Sequence, residues 1–403
     1  MPDSLDQQYG AIADAIERYI EEHFWDPAGL MYSYLDVTTG QPFAKEFIAP
    51  KKVCRRALFN PWAWWTYEDS IMMMGLYLDG LCRKYEVTGN AQCLDLARKV
   101  WRSLRNVYYA SQIYGPGSFL RPYGGFEVMG QFMEPLGTDQ ASPLFAGLYR
   151  FMRHSDPETR TEVAKVALDT LSWYERQGFQ YFYYKDFIHE WNPAFQHAAS
   201  YYLPAIAWAA ATTGDPKWER HLDARLAMFR DTRFTVRCSF TWGHDLPILK
   251  AMAGRSLDAA ITQKMLDEAF RATLESIRTY TDPGMTRRMW PESAKPGFKP
   301  YMKPDFDPHK HHGHAYFFCV HGGRQRPGAE FTFLCGLAEM GYPGAREKAA
   351  ELLALRQRVP FDFTDFVWDD YAELPEEVHL YARSVGPGLS AWWRNYWLLR
   401  GAG

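Results

Sequence analysis

Six stretches of this chain, roughly 68–83, 139–153, 194–211, 244–253, 329–341 and 387–400, are apolar, aromatic or small almost throughout, as in "LFAGLYRFM" and "AIAWAAATTG". A helix that is apolar all round has to be buried on every side. Alternating with them along the chain are six amphipathic stretches, roughly 8–24, 91–110, 157–176, 216–231, 258–279 and 344–358, each with one charged and one apolar face. Three junctions between the two kinds resemble one another: "KYEVTGNAQCLDLARKVW", "RHSDPETRTEVAKVAL" and "AATTGDPKWERHLDARLAMF". Each closes one helix, turns through Gly, Asn, Asp or Ser, and opens the next with Pro or a small residue. Stacked helical hairpins follow from such a repeat. Six buried helices alternating with six covering ones predict an all-α protein, an (α/α)6 barrel formed by a single domain over 1–403. An open solenoid or irregular helical array is the plainer alternative.

Charge and composition narrow the function. With 45 basic and 48 acidic residues the net charge is −3, which offers no electrostatic footprint for nucleic acid or an anionic membrane. No apolar run approaches the ~18–20 residues of a membrane span. The opening "MPDSLDQQYGAIADAI" has neither a basic nor an apolar leader region, so a cytoplasmic location is expected. The six cysteines are widely spaced with no CxxC, which suggests buried, reduced thiols and neither a zinc site nor a redox pair. Aromatic residues are abundant, with 15 Trp, 25 Tyr and 26 Phe. A surplus of Trp and Tyr suits sugar binding, where a flat ring covers the apolar face of a pyranose and its polar tip reaches hydroxyls.

Polar residues gather where the apolar helices begin: Glu68 and Asp69, Asp139 and Gln140, Gln196 and His197, His244 and Asp245, Glu330, then Ser384 and Ser390. If the six helices are parallel, these residues meet at one end. The long connections 25–67, 111–138, 177–193, 232–243, 280–328 and 359–386 would wall that end, and connections of this length usually carry function. Free N–H groups at helix starts favour carboxylates and anionic ligands there. The competing explanation is that such residues only cap helices.

Asp69 and Asp139 open consecutive apolar helices and are the leading catalytic candidates. Two carboxyl groups in a partly apolar pocket can be driven apart in pKa, one acid and one base, as glycoside chemistry requires. Glu68 adjoins Asp69, but neighbours on a helix point about 100° apart. Asp69 is preferred because Met73 and Tyr77 continue its stripe. His197 and His244 are further acid–base candidates. Candidate substrate contacts are Arg121 and Tyr123 from "FLRPYGGFEVMG", Gln140, Glu190 and Trp191 from "HEWNPAFQH", and Trp242 from "FTWGHDLP". The 280–328 connection adds Arg287, Arg288, Trp290, Glu292 and His314, with Lys295 and Lys303 close by. An Arg fork there suits a sugar carboxylate. The histidines at 309, 311, 312 and 314 lack acidic or Cys partners at fixed spacing, so a substrate wall or solvated loop is favoured over a metal site.

"WTYEDSIMMMGLYLDGL" and "GTDQASPLFAGLYRFM" resemble the six-hairpin glycosidase superfamily, nearest to the unsaturated glucuronyl and rhamnogalacturonyl hydrolases and related uronidases. The resemblance implies an Asp pair, Asp69 and Asp139, one of which protonates the C4=C5 bond of a non-reducing uronate and helps water add at C5. It implies an acidic oligosaccharide as substrate and no cofactor or metal. An ordinary uronidase acting by the two-carboxylate route fits the same residues. So do two other classes: a polysaccharide lyase using Tyr301 or His314 with Arg288, and a sugar isomerase similar to the N-acylglucosamine 2-epimerases using His197 and His244. A non-catalytic sugar-binding protein would leave the polar helix starts unexplained.

Overall fold

The computed structural model describes residues 4–36, 38–48, 61–126, 135–179, 181–183, 187–189, 202–230, 239–253, 262–281, 328–354 and 384–402. They are mostly helical. The apolar stretches form α4 (Ser70–Thr88), α6 (Thr138–His154), α8 (Leu203–Thr213), α10 (Ser239–Ala253), α12 (Gly328–Glu339) and α14 (Gly388–Gly401). The amphipathic ones form α1 (Ser4–His23), α5 (Gln92–Ser111), α7 (Pro157–Arg176), α9 (Pro216–Arg230), α11 (Gln263–Thr281) and α13 (Ala345–Ala354). Two shorter helices, α2 (Lys45–Ile48) and α3 (Pro61–Tyr67), lie ahead of α4. Strand structure is slight: β1 (Leu35–Asp36) pairs antiparallel with β4 (Ser384–Val385), and β2 (Tyr181–Tyr183) with β3 (Phe187–His189).

The junctions behave as their residues require. Gly89 and Gly214 end α4 and α8 at φ 68° and 66°, a left-handed turn that suits a residue without a side chain. Asp156 caps α7 by accepting from the Thr159 N–H at 2.9 Å, and Pro157 takes the first helical position. Helix α8 is described from Leu203, and the start expected near 194 lies outside the described residues. One helix start differs from the sequence expectation. Helix α10 begins at Ser239, so His244 and Asp245 lie beyond its first turn. The polar pair had marked that start, whereas "SFTWG" carries no periodic signal of its own.

Five of the apolar helices run side by side in one direction. Gln140 near the start of α6 meets Asp69, and Arg150 near its end meets Asp79 and Glu86 on α4. Ser142 on α6 reaches Asp245 on α10 at 3.2 Å. On α12, Thr332 lies against Gly243 of α10, and the Lys250 ammonium donates to the Met340 carbonyl at 2.8 Å just beyond α12. Asn395 on α14 donates to Thr332 at 3.1 Å, and Arg394 reaches Asp79 on α4. The circuit α4–α6–α10–α12–α14 thereby returns to α4, with α8 packed on α10. The amphipathic helices lie against it: α1 on α14, α5 on α4, α7 on α6, α9 on α8, α11 and α13 on α12. Helix α1 turns Leu5, Tyr9, Ala13, Ile16 and Ile20 inward, the stripe expected of a covering helix.

Glycine sets the spacing of two seams. A Cβ on Gly75 would lie 2.7 Å from the Pro143 and Leu144 backbone, and one on Gly147 would lie 2.6 Å from the Gly75 carbonyl. Between α10 and α12, a Cβ on Gly243 would lie 2.5 Å from the Thr332 carbonyl, and one on Gly336 would lie 2.5 Å from the Gly243 carbonyl. Backbone cannot yield as a side chain can, so Gly147→Ala and Gly243→Ala should each destabilise the fold by about 1–3 kcal/mol in chemical denaturation.

A cluster of ions is buried between the far ends of these helices. Asp79 is 2% exposed and receives Arg83 at 3.0 Å, Arg394 at 2.6 Å and Arg150 at 2.8 Å. Glu339 on α12 takes Arg83 at 2.8 Å and Arg150 at 2.5 Å, and Glu86 takes Arg150 at 2.7 Å. Three guanidinium groups thus face three carboxylates, drawn from α4, α6, α12 and α14. Burial alone would push the Asp79 carboxyl up, but Arg83, Arg394 and Arg150 hold it far below the usual range. Burial likewise pushes the Glu339 carboxyl up, but Arg83 and Arg150 outweigh it and lower that group to about 2. Groups lowered on folding stabilise the protein above their unfolded values, about 3.9 and 4.3, and lose that contribution as pH falls. Stability should therefore drop as pH falls from about 4.5 toward 2. Asp79→Asn, which leaves three arginines without their shared anion, should cost about 3–5 kcal/mol. Thermal unfolding across pH checks both.

Candidate functional site

At the opposite end, where the apolar helices begin, the described parts of three connections converge. Asp69 stands at the N-cap of α4 but makes no side-chain cap. Its carboxylate is 7% exposed and turned aside, accepting from the Tyr34 hydroxyl at 3.0 Å and the Gln140 amide at 3.1 Å. The backbone does the capping: the Asp69 carbonyl accepts from the Met73 N–H at 2.8 Å, while the Asp69 N–H donates to Ser33 Oγ at 2.6 Å. Pure helix capping does not describe this side chain.

Gln140 ties α6 to this turn, since the same amide nitrogen also donates to the Glu68 carbonyl at 2.5 Å. The Glu68 carboxylate points elsewhere, to Arg121 Nη1 at 3.1 Å. Arg121 is 1% exposed and also donates to the Tyr123 hydroxyl at 3.3 Å. The acidic pair divides, Asp69 toward α6 and Glu68 toward the 111–138 connection, but the cause is not the helical spacing expected from sequence, since both residues lie in the turn between α3 and α4. Tyr34 stacks on Trp65 with ring centroids 4.7 Å apart. It is set beside β1, whose pairing brings in the last connection, so that a Cβ on Gly386 would lie 2.6 Å from the Tyr34 ring.

Further around the circuit, Asp245 accepts from Ser142 at 3.2 Å, while Glu330 in the first turn of α12 and Ser390 in that of α14 are wholly buried. Trp242 is 1% exposed and packs near Phe333 on α12, 6.5 Å between centroids. His244 is 2% exposed. Burial chiefly, then Arg394 and Arg83, push its imidazole well below the ordinary value against the opposing pull of Asp79. It is neutral at neutral pH and takes up a proton reluctantly.

Asp139 is the second residue of α6, directly before Gln140. The structure thus brings Glu68, Asp69, Gln140, Arg121 and Tyr123 into one contact network, with His244 and Trp242 buried on α10. Glu190, Trp191, His197, Arg287, Arg288, Trp290, Glu292, Lys295, Tyr301, Lys303 and the histidines at 309–314 lie outside the described residues. Sequence reasoning missed Ser33, Tyr34 and Trp65. Tyr34 is 35 residues from Asp69, and no spacing rule links the two, although the long connection that holds Tyr34 leads directly into Asp69. Among the described residues no group of three or more His, Cys, Asp or Glu could hold a metal ion, and no helix is long and apolar enough to cross a membrane.

No protein-family model, curated protein or solved structure matches this chain. What the site does rests on its own residues.

A histidine lowered on folding costs stability as pH falls below its unfolded value of about 6.5, where the unfolded chain takes up the proton first. His244 should therefore remain neutral at pH 6 in ring-nitrogen NMR. His244→Gln should flatten the decline in stability between about pH 6.5 and 5.

Proposed function

We propose that the six apolar and six amphipathic helices form an (α/α)6 barrel, and that the chain is a glycoside hydrolase acting on a glucuronide or uronic-acid-containing oligosaccharide. The observation that carries this reading is Asp69: a buried carboxylate at the start of an apolar helix, released from capping and fixed by a tyrosine and a glutamine. A carboxylate held in place at the cost of burial, where long connections converge, is what acid–base catalysis requires. Asp139 begins the parallel neighbouring helix and supplies the second carboxyl group. One of the pair protonates the departing group or the enol-ether carbon, and the other activates water. The basic residues Arg287, Arg288, Lys295 and Lys303 supply the match to an acidic sugar.

The test uses Asp69→Asn and Asp139→Asn, which keep shape and remove the titratable proton. Each should lower kcat by about 10²–10⁴-fold with little loss of fold. A change of only about 1 kcal/mol in stability with turnover intact would return both residues to a capping role. His197→Gln and His244→Gln are the counter-test. If they abolish turnover while both aspartate changes spare it, the isomerase or lyase chemistry replaces hydrolysis.

Acidic specificity is tested separately. Replacing Arg287, Arg288, Lys295 and Lys303 one at a time by Met should, for at least one of them, raise KM for an acidic substrate far more than for its neutral analogue. Equal effects on both substrates would remove the uronate from the proposal.

A further inference from the structure

The two oxygens of Asp69 are not in equivalent surroundings. Oδ1 faces the Gln140 side-chain nitrogen at 3.1 Å, and that nitrogen has only N–H to offer. The amide cannot be turned round, because the Glu68 carbonyl lies 2.5 Å from the same nitrogen and an oxygen there would face two acceptors. Oδ1 is therefore an acceptor in every protonation state. Oδ2 meets the Tyr34 hydroxyl at 3.0 Å. A phenol, with a pKa near 10, keeps its proton and donates to a carboxylate. A protonated Asp69 would have to reverse that one contact. Two donors on the charged form favour it, against the opposing effect of burial.

Tyr34 is itself held firmly. Its ring stacks on Trp65, its flank fits where Gly386 has no side chain, and the next two residues are paired with Ser384 and Val385. Among the described residues, titratable groups on the elements packed here include Glu68, turned to Arg121 at 3.1 Å, and Asp245, which accepts from Ser142 on α6; Asp139 directly precedes Gln140 in the chain.

We propose that Tyr34 is a positioning residue whose hydroxyl, together with the Gln140 amide, holds Asp69 ionised and in one orientation, so that Asp69 serves as the proton acceptor of the site. The chemistry of this inference rests on the hydrolytic reading above, whereas the clamp itself rests on the contacts alone. The strand pair β1–β4 then has a role beyond joining two connections, since it sets the distance from which Tyr34 meets Asp69.

The experiment is a titration of the full chain labelled with ¹³C at the aspartate γ-carboxyl, Asp69 being identified by the signal lost in Asp69→Asn. In the wild type Asp69 should titrate below the free value of about 3.9, and in Tyr34→Phe its midpoint should rise by about one pH unit or more. Gln140→Leu removes the other donor and should raise it likewise, which keeps the test usable if either variant fails to fold. Equal midpoints in wild type and variants overturn the clamp. This titration needs no substrate, so it decides whether or not a sugar is turned over. With 4-nitrophenyl β-glucuronide and a 4,5-unsaturated uronyl disaccharide as probes, Tyr34→Phe should shift the acid limb of kcat upward by the same amount, leaving KM within about twofold. A fall in kcat with no movement of that limb overturns the positioning role. Should Asp69→Asn turn over a probe as the wild type does, the hydrolytic reading fails while the titration result stands by itself.

Discussion

Asp79 is the point on which the described helices converge. One carboxylate, almost wholly removed from water, receives guanidinium groups from its own helix α4, from α6 and from α14, and through Arg83 and Arg150 it is joined to Glu339 on α12. Ions buried in this way add less net stability than their number suggests, because each has first to be stripped of water. What they add is exclusiveness. Apolar faces slide past one another at small cost, whereas a helix displaced by one turn here would leave a charge buried without its counter-ion. Helices with little polar information on their surfaces thus acquire a fixed register from a few charged side chains.

That register places the opposite end. With Arg150 fixed on Asp79 and Gly147 fixed against the Gly75 carbonyl, α6 has no freedom along α4, and Gln140 arrives at Asp69 as a geometric consequence. The molecule separates its polar work accordingly. Charges at one end are paired and neutralised for architecture. At the other, Asp69 accepts from two neutral donors, Tyr34 and Gln140, which orient its carboxylate.

Much of this was legible in the residues. The apolar stretches could be nothing but buried helices, and the Gly and Pro junctions marked their ends to within a few residues. The exceptions are instructive. The polar pair His244 and Asp245 suggests a start for α10, yet the helix runs back through "SFTWG", where small and aromatic residues give no period. Within the site, Asp69 stands out because a carboxylate before "SIMMMGLYLDG" demands a reason, whereas its separation from Glu68 comes from the turn between α3 and α4 and not from helical angles. Tyr34 was not found, since its contact depends on how a long connection folds back, and nothing local records that. The buried ions had a signal that went unread: Asp79 and Arg83 stand at i and i+4 within a run otherwise apolar, the spacing of a helical ion pair.

The circuit of parallel helices is closed by its last member. Helix α14 lies against α4, and Tyr396 on it reaches back to donate to Asp6 in α1 at 2.9 Å, joining residues 390 positions apart. During synthesis, α4 therefore emerges from the ribosome with one apolar side that nothing yet translated can cover, and keeps it uncovered until some 300 further residues have been added. At ribosomal rates of about 5–20 residues per second that interval lasts on the order of tens of seconds. A nascent chain in that condition is a natural client for chaperones that bind exposed apolar helices, and its yield in a cell is governed as much by protection during that wait as by the stability of the finished fold.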